Sequence, residues 1–360
     1  MHLSLVDEEG AEFMASRPLE GAETELKAFS EVGLASLNTM DKRSVFLNDV
    51  LRGTNGYDDQ DETDTGYVRL SDDCLTAIPV EPTGIGRDVA SVDVSSIRIA
   101  EDAKGIVIAL RGSLVRRRGD RVSADVLGPF LLYVTEQNKD FMYASLRSRL
   151  LGEETPVESP QLDSMPKRIC NLFDRWMQVS AATRLRDSIL LFDGSLMAGT
   201  VDSPTRVMEH IVLASATNGN SIIAFSKMTR LRILGVRITE LRDGHPVPYL
   251  LRVGRLISQH ARFRCLGRIY VAHLSPLFYS YRVDVNSGPE RSDTDAVGSL
   301  LSNDALIYGY PETLVYAHVL CTFNKVDVIG LQRFLTEQME ITVTEDTNIR
   351  QSLFLPFDRS

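Results

Sequence analysis

The chain predicts an α/β protein built on one mixed sheet, and three observations carry that expectation. Three apolar stretches, 89–99, 105–115 and 130–134, follow one another closely, the pattern of an antiparallel meander. Later strand-like runs, 188–193 and 221–225, alternate with helical stretches at 138–150, 165–182 and 205–216, the pattern of parallel crossovers. Two of these strands end in an acid followed by small residues: Val89-Ala-Ser-Val-Asp93-Val-Ser-Ser and Ile189-Leu-Leu-Phe-Asp193-Gly-Ser-Leu. The core therefore reads β-β-β-α-β-α-β.

Each element has a local reason. Residues 21–52 read as two helices, because Leu26, Phe29, Val32, Leu34 and Leu37, then Val45, Phe46, Val50 and Leu51, recur at near-helical spacing. Residues 53–66 are polar and crowd together Asp58, Asp59, Asp61, Glu62 and Asp64, as a solvated linker does. The expected organisation is thus an N-terminal helical region with an acidic linker (1–66), a main domain (85–345) and a short tail (346–360). Pro79, Pro82, Gly84 and Gly86 punctuate the entry to the domain. Ile106, Ile108 and Leu110 alternate along the second strand, and Phe130-Leu-Leu-Tyr-Val134 forms the third. Gly152-Glu-Glu-Thr-Pro separates the two following helices, and Pro204 stands where the next helix starts. Apolar strands at 248–257, 267–274 and 278–284 and helices near 312–324 and 327–339 complete the domain.

Composition narrows the function classes. A chain of 360 residues with 43% hydrophobic side chains can bury a sizeable core. No run approaches the roughly 20 apolar residues of a membrane span, and the N-terminus lacks the basic start and apolar run of a signal peptide. The expectation is a cytoplasmic protein with no membrane partner. Cys74, Cys170, Cys265 and Cys321 are far apart, which argues against a zinc knuckle or a disulfide framework. The net charge of −10 counts against coating DNA by charge alone. Basic residues nonetheless gather at 111–121 and 230–268, and Arg (32) far outnumbers Lys (7). Guanidinium forks suit phosphate, although a GC-rich genome gives the same bias.

The order of elements is the one used by ribonuclease-H-like nucleases, in which the first and fourth strands are neighbours at the sheet centre. Asp93 and Asp193 would then sit side by side and repel unless they share a cation. Mg²⁺ or Mn²⁺ suits a site with few protein ligands, lowers the pKa of a bound water and neutralises charge on a phosphate. Alternatively, Asp193-Gly194 is a hairpin turn signal. A third acid is expected from the helix between the strands. Asp174 adjoins the apolar face made by Ile169, Phe173, Trp176 and Met177, and Glu136 is the reserve candidate. His318 shares a helix face with Leu314 and Cys321, so it is either a packed core residue or a group that binds metal or orients water. Lys227 and Arg230, just past the fifth strand, would hold a phosphate or form a solvated basic loop.

Five segments, in order, resemble the NurA nuclease family of archaea and some bacteria. They are Val92-Asp93-Val-Ser95, Leu190-Leu-Phe-Asp-Gly-Ser-Leu196, Ala224-Phe-Ser-Lys227, Phe278-Tyr-Ser-Tyr-Arg-Val-Asp284 and Gly309-Tyr-Pro-Glu-Thr-Leu-Val-Tyr-Ala-His318. The resemblance implies a ribonuclease-H-like fold and use of Mn²⁺. It further implies 5′-to-3′ exonuclease and single-strand endonuclease activity on DNA ends, and a homodimer docked on a HerA-type hexameric ATPase. It makes Asp93 and Asp193 metal ligands and His318 the late site residue. The family's first motif often reads Asp-Gly-Ser where this chain has Asp93-Val94-Ser95, and its helix acid is usually Glu where this chain has Asp174. Those departures motivate an alternative, a catalytically degenerate structural or DNA-guiding subunit.

Overall fold

The computed structural model describes residues 22–42, 45–48, 66–69, 75–84, 86–233, 235–242, 244–253, 255–258, 263–277 and 279–343. Most of the acidic segment, Cys74 and the tail 346–360 lie outside the described residues. Helix α1 (Glu23–Leu37) is followed by short strands β1 (Phe46–Leu47), β2 (Gly66–Arg69) and β3 (Ala77–Pro79). The long strands β4 (Asp88–Glu101), β5 (Gly105–Arg118) and β6 (Arg121–Thr135) come next. Helices α2 (Lys139–Leu151) and α3 (Met165–Arg184) lead to β7 (Ser188–Asp193). After the short β8 (Met197–Ala198) come α4 (Thr205–Thr217) and β9 (Ser221–Ser226). Strands β10 (Arg232–Ile233), β11 (Val236–Arg237), β12 (Tyr249–Arg252), β13 (Arg255–Ser258), β14 (Arg264–Cys265), β15 (Arg268–His273) and β16 (Tyr281–Asn286) follow. Helix α5 (Asp293–Asn303), a hairpin of β17 (Leu306–Ile307) and β18 (Tyr310–Pro311), and helices α6 (Glu312–Cys321) and α7 (Lys325–Gln338) close the described chain.

The principal sheet runs β3-β12-β15-β16-β9-β7-β4-β5-β6, with β1 added on β4. β4, β5 and β6 form the expected antiparallel meander, whereas β4 pairs parallel with β7 and β7 parallel with β9. Strand β4 is longer than its partner. β7 holds only its first part, up to Val92, and β1 holds its far end at Ala100 and Glu101. Between Asp93 and Ile99 that edge of β4 has no paired strand among the described residues, so the sheet opens where β7 ends.

Both faces of the sheet are covered. Ala90, Val92 and Val94 of β4 and Leu190 and Phe192 of β7 face α2, α3 and α4 through a core containing Phe173, Trp176 and Met208. The alternate residues, Val89 of β4 and Ile189 and Leu191 of β7, face α5 and α6 through a second core with Val297, Leu300 and Leu314. Arg87 aligns the strand starts. Its buried guanidinium donates to the carbonyls of Asp187 (3.2 Å), Ser188 (2.8 Å) and Gly219 (3.0 Å) and to the Ser221 hydroxyl (3.2 Å). Because one side chain ties the entries of β4, β7 and β9, their far ends are held in a common register. Burial lowers its pKa to about 10, so it stays charged at neutral pH.

Several expectations need correction. Only one helix lies in the N-terminal region among the described residues. Phe46 and Leu47, expected in a second helix, form β1, because pairing with the exposed edge of β4 outweighs a weak helical pattern. Helix α1 is part of the main core, with Phe29 packed on Phe130 (5.0 Å between centroids) and Phe173 (5.3 Å). The expected strand 248–257 is two strands, β12 in the principal sheet and β13 paired with β2. Helix α5, not anticipated from the sequence, starts at a capping box between Ser292 and Asp295. Finally, Glu312–Gln338 does reach the length and apolar composition of a membrane-crossing helix. It is broken into α6 and α7, where Asn324 and Asp327 form a second capping box, and Leu314, Ala317, Cys321, Val328 and Leu335 are buried against the rest of the fold.

Candidate metal centre

Parallel pairing brings the two sequence-distant acids together. Ala90, Ser91 and Val92 stand opposite Leu190, Leu191 and Phe192, so Asp93 and Asp193 are the next positions along the same two strands. Strands in a sheet lie about 5 Å apart, and alternation sends both carboxylates to the face covered by α6. β7 ends at Asp193, and the chain turns away at Gly194, whose φ of +109° is one that L side chains rarely adopt. This turn does not fold back into a hairpin, as Asp-Gly alone would allow. It is pinned by Gly194 N–H to the Phe225 carbonyl (2.7 Å) and by the Ser226 hydroxyl to the Gly194 carbonyl (2.7 Å). The Leu196 N–H donates to buried Asp284 (2.9 Å), which is itself paired with Arg282 (2.9 Å).

Helix α6 is seated over the acids by three serines of the underlying strands. Ser91 Oγ and Thr313 Oγ1 share a hydrogen bond of 2.6 Å, Ser113 Oγ donates to the Ala317 carbonyl (2.7 Å) and Ser95 Oγ to the Cys321 carbonyl (2.6 Å). Ser91, Asp93 and Ser95 occupy one face of β4, so the residue between the two docking serines is the acid itself. With Leu314, Ala317 and Cys321 buried, His318 emerges at the margin of the helix, 53% exposed, and its Nδ1 lies 2.9 Å from Asp93 Oδ2. It is therefore not the packed core histidine that its apolar neighbours allowed. The hydrogen bond to Asp93 raises its pKa, against the lowering effect of burial.

Other groups complete the centre. Lys227 Nζ lies 2.6 Å from Asp193 Oδ2 and 5.2 Å from the centroid of the Tyr310 ring. Burial, and then the charges of Asp193 and Asp93, hold the Tyr310 phenol well above its ordinary pKa. Asp174 comes from α3 on the opposite face of the sheet. Its pKa is pushed up to about 7, mainly by burial, with Asp93 and Asp193 adding to the rise and Arg175 and Gln178 opposing it. Gln178 Nε2 donates to Asp174 Oδ2 at 2.8 Å. Glu136 is elsewhere, 62% exposed and paired with Lys139 at 2.7 Å.

The donors suit a small divalent cation. Ligand atoms of Asp93, His318 and Cys321 lie within 4.8 Å of one another, and Asp193 stands at the corresponding end of the neighbouring strand β7. Carboxylate oxygens with an imidazole nitrogen match Mn²⁺ or Mg²⁺ better than a thiolate-selecting metal. The Cys321 thiol is buried, and that burial, reinforced by Asp93, pushes its pKa far up. Cys321 and Tyr310 were not singled out from the sequence as site residues. The i, i+3 spacing from His318 to Cys321 was the available signal for one of them. The basic run at 111–121 is not an open phosphate-binding patch. Arg111 pairs with Asp327 (3.2 Å), Arg117 with Asp304 (3.1 Å), and Arg116 and Arg118 with Asp88.

Comparison with known proteins gives distant likenesses to solved structures. The chain is similar to a NurA nuclease. The solved structure of the NurA nuclease from Sulfolobus solfataricus is 14% identical, with 90% of this chain and 98% of that chain covered and a TM-score of 0.40. Two further likenesses are to Argonaute of Kluyveromyces polysporus with a guide RNA (11% identity, 72% of this chain, 28% of that chain, TM-score 0.27) and to the C-terminal lobe of a budding yeast Argonaute (11%, 72%, 50%, 0.28). No family model and no curated protein matches the chain. At TM-scores below 0.5 these likenesses add no weight beyond the geometry already described.

Proposed function

We propose that this chain is a metal-dependent deoxyribonuclease with a ribonuclease-H-like core, β6-β5-β4-β7-β9, and a site made by Asp93, Asp193, Asp174 and His318. The observation that carries the reading is the parallel register of β4 and β7. It sets Asp93 and Asp193 on adjacent strands at the point where the sheet opens, with His318 bonded to one and Lys227 to the other. Asp93 and Asp193 would hold Mn²⁺ or Mg²⁺, with Asp174 as the third acid. Bound there, the ion supplies charge neutralisation on the phosphate and a more acidic water. The protein's own groups do the rest. Nδ1 of His318 is fixed by Asp93, which leaves Nε2 as the ring atom to orient an attacking water or protonate a leaving oxygen. Lys227, at the rim and 40% exposed, is the cation positioned for a substrate phosphate.

The resemblance read from the sequence adds further parts to the proposal: resection of DNA ends during double-strand-break repair, a homodimer, and a HerA-type hexameric ATPase that delivers the strand. A protein of net charge −10 holds DNA weakly by itself, which is what a partner-fed enzyme tolerates. A second reading, a structural or DNA-guiding subunit without catalysis, is favoured by one observation. Lys227 already neutralises Asp193 at 2.6 Å, as a cation would.

Digestion of end-labelled single-stranded DNA with and without Mn²⁺ separates the two. The expected result is metal-dependent cleavage that Asp93→Asn and Asp193→Asn each reduce by at least about 10³-fold while circular dichroism stays native. Cleavage that persists undiminished in both variants overturns the assignment. Calorimetry that finds no Mn²⁺ binding near millimolar concentration favours the structural subunit.

A further inference from the structure

An aromatic chain leads away from the metal centre, and its outer end is exposed. Next to Lys227 lies the buried Tyr310 ring. Tyr310 packs on Tyr281 (5.3 Å between centroids), and the Tyr281 hydroxyl donates to the Tyr308 carbonyl (3.3 Å). Tyr308 in turn meets Tyr279, with centroids 5.5 Å apart. Tyr310 is 6% exposed, but Tyr279 and Tyr308 are 57% and 58% exposed. Burial does not explain why two large rings stand side by side in water at this position.

Their backbone setting sharpens the point. Residues Tyr308 and Gly309 form the two-residue loop of the β17–β18 hairpin, whose strands pair Ile307 with Tyr310. Both loop residues have positive φ, 54° and 84°. Such a loop favours Asn or Gly at its first position, and a bulky ring there is strained. Gly309 is needed for close packing, since a Cβ on it would meet Ser275 Cβ at 3.3 Å and Tyr281 at 3.7 Å. Nothing in the fold requires the Tyr308 ring in the same way. Strain of this kind, held beside a candidate active site, is what a ligand-facing residue accounts for.

We propose that Tyr279 and Tyr308 form a stacking platform for unpaired bases of a single DNA strand whose backbone passes Lys227 to reach the Asp93–Asp193 centre. This rests on the nuclease reading and deepens it by naming the residues that hold the bases of the bound strand. Exposed aromatic faces recognise bases without regard to sequence, and duplex DNA offers no free base faces along its length. The cation, the acids and the rings lie in one contiguous series, so the sugar–phosphate and the base of a bound strand each have a partner of suitable chemistry.

The test is binding of a fluorescein-labelled oligo(dT) and of a blunt duplex to the full chain in EDTA, read by anisotropy. The variants are Tyr308→Asn, Tyr308→Phe, Tyr279→Ala and Tyr279→Phe. Tyr308→Asn gives the loop its preferred residue, so melting temperature should rise while oligo(dT) affinity falls about tenfold. The Phe variants should keep wild-type affinity, and duplex binding should not change. A purely structural tyrosine would show the opposite sign for Tyr308→Asn, with lower stability and unchanged binding. Unchanged oligo(dT) affinity in both Tyr308→Asn and Tyr279→Ala, or no oligo(dT) binding by the wild type, overturns the platform. Intact stacking-dependent binding without any metal-dependent cleavage would instead overturn the nuclease reading and leave the platform standing.

Discussion

His318 and Asp93 are separated by 225 positions, yet the His318 Nδ1 meets Asp93 Oδ2 at 2.9 Å. Three serine hydrogen bonds under α6 make that meeting possible, because they fix both the height and the rotation of the helix over β4. The carboxylate stabilises the charged imidazole, so the folded-state pKa of His318 lies above 6.5. The attraction is fully present below the unfolded value and fades as pH rises through the raised folded one. In an NMR titration the His318 ring should therefore titrate above 6.5, and Asp93→Asn should bring the midpoint back down. His318→Ala should cut cleavage by about 10²-fold or more without a change in melting temperature beyond a few degrees.

Asp174 has the same sign for a different reason, since burial penalises its charged form. Its folded pKa of about 7 exceeds the ordinary 3.8, so between those values the folded chain holds a proton that the unfolded chain has released. Stability then falls as pH rises across that window. Asp174→Asn should leave stability unchanged near pH 3 and raise it above pH 7, by on the order of 4 kcal/mol, in urea unfolding curves. The same variant should lose Mn²⁺ affinity. In the wild type, Mn²⁺ affinity measured by calorimetry should increase with pH up to about 7, because the ion displaces the Asp174 proton.

Arg87 ties together the starts of three strands through one planar group. A lysine keeps the charge but cannot place donors in four directions, so Arg87→Lys should destabilise the fold by about 2–4 kcal/mol. Chemical denaturation at neutral pH measures this. Loss of cleavage should track loss of folded protein, since Arg87 sits at the end of the sheet away from the acids.

Ser113 acts on position more than on stability. Ser113→Ala removes the bond to the Ala317 carbonyl and should cost about 1 kcal/mol. Because Ala317 precedes His318, cleavage should fall more than the folded fraction does, and the His318 titration midpoint should move toward 6.5. A variant that loses stability but keeps the wild-type midpoint would refute the positioning role.

Much of this arrangement was present in the sequence. The order of strands and helices, the phase of Asp93 among Val92 and Val94, and the phase of Asp193 after Ile189-Leu-Leu-Phe follow from local periodicity, because alternation decides which face each side chain occupies. The short β1 was misread as helix, and α5 was not anticipated, because two-residue pairing and capping depend on neighbours that periodicity does not encode. Only the tertiary structure decided that His318 stands at the margin of α6 rather than in its core, that Lys227 reaches Asp193, and that Glu136 pairs with Lys139 in solvent while Asp174 is half-buried beside Gln178. Those relations depend on how a helix seats on a sheet and how deeply an acid is buried. Both are set by contacts between residues hundreds of positions apart, not by the propensities of either segment alone.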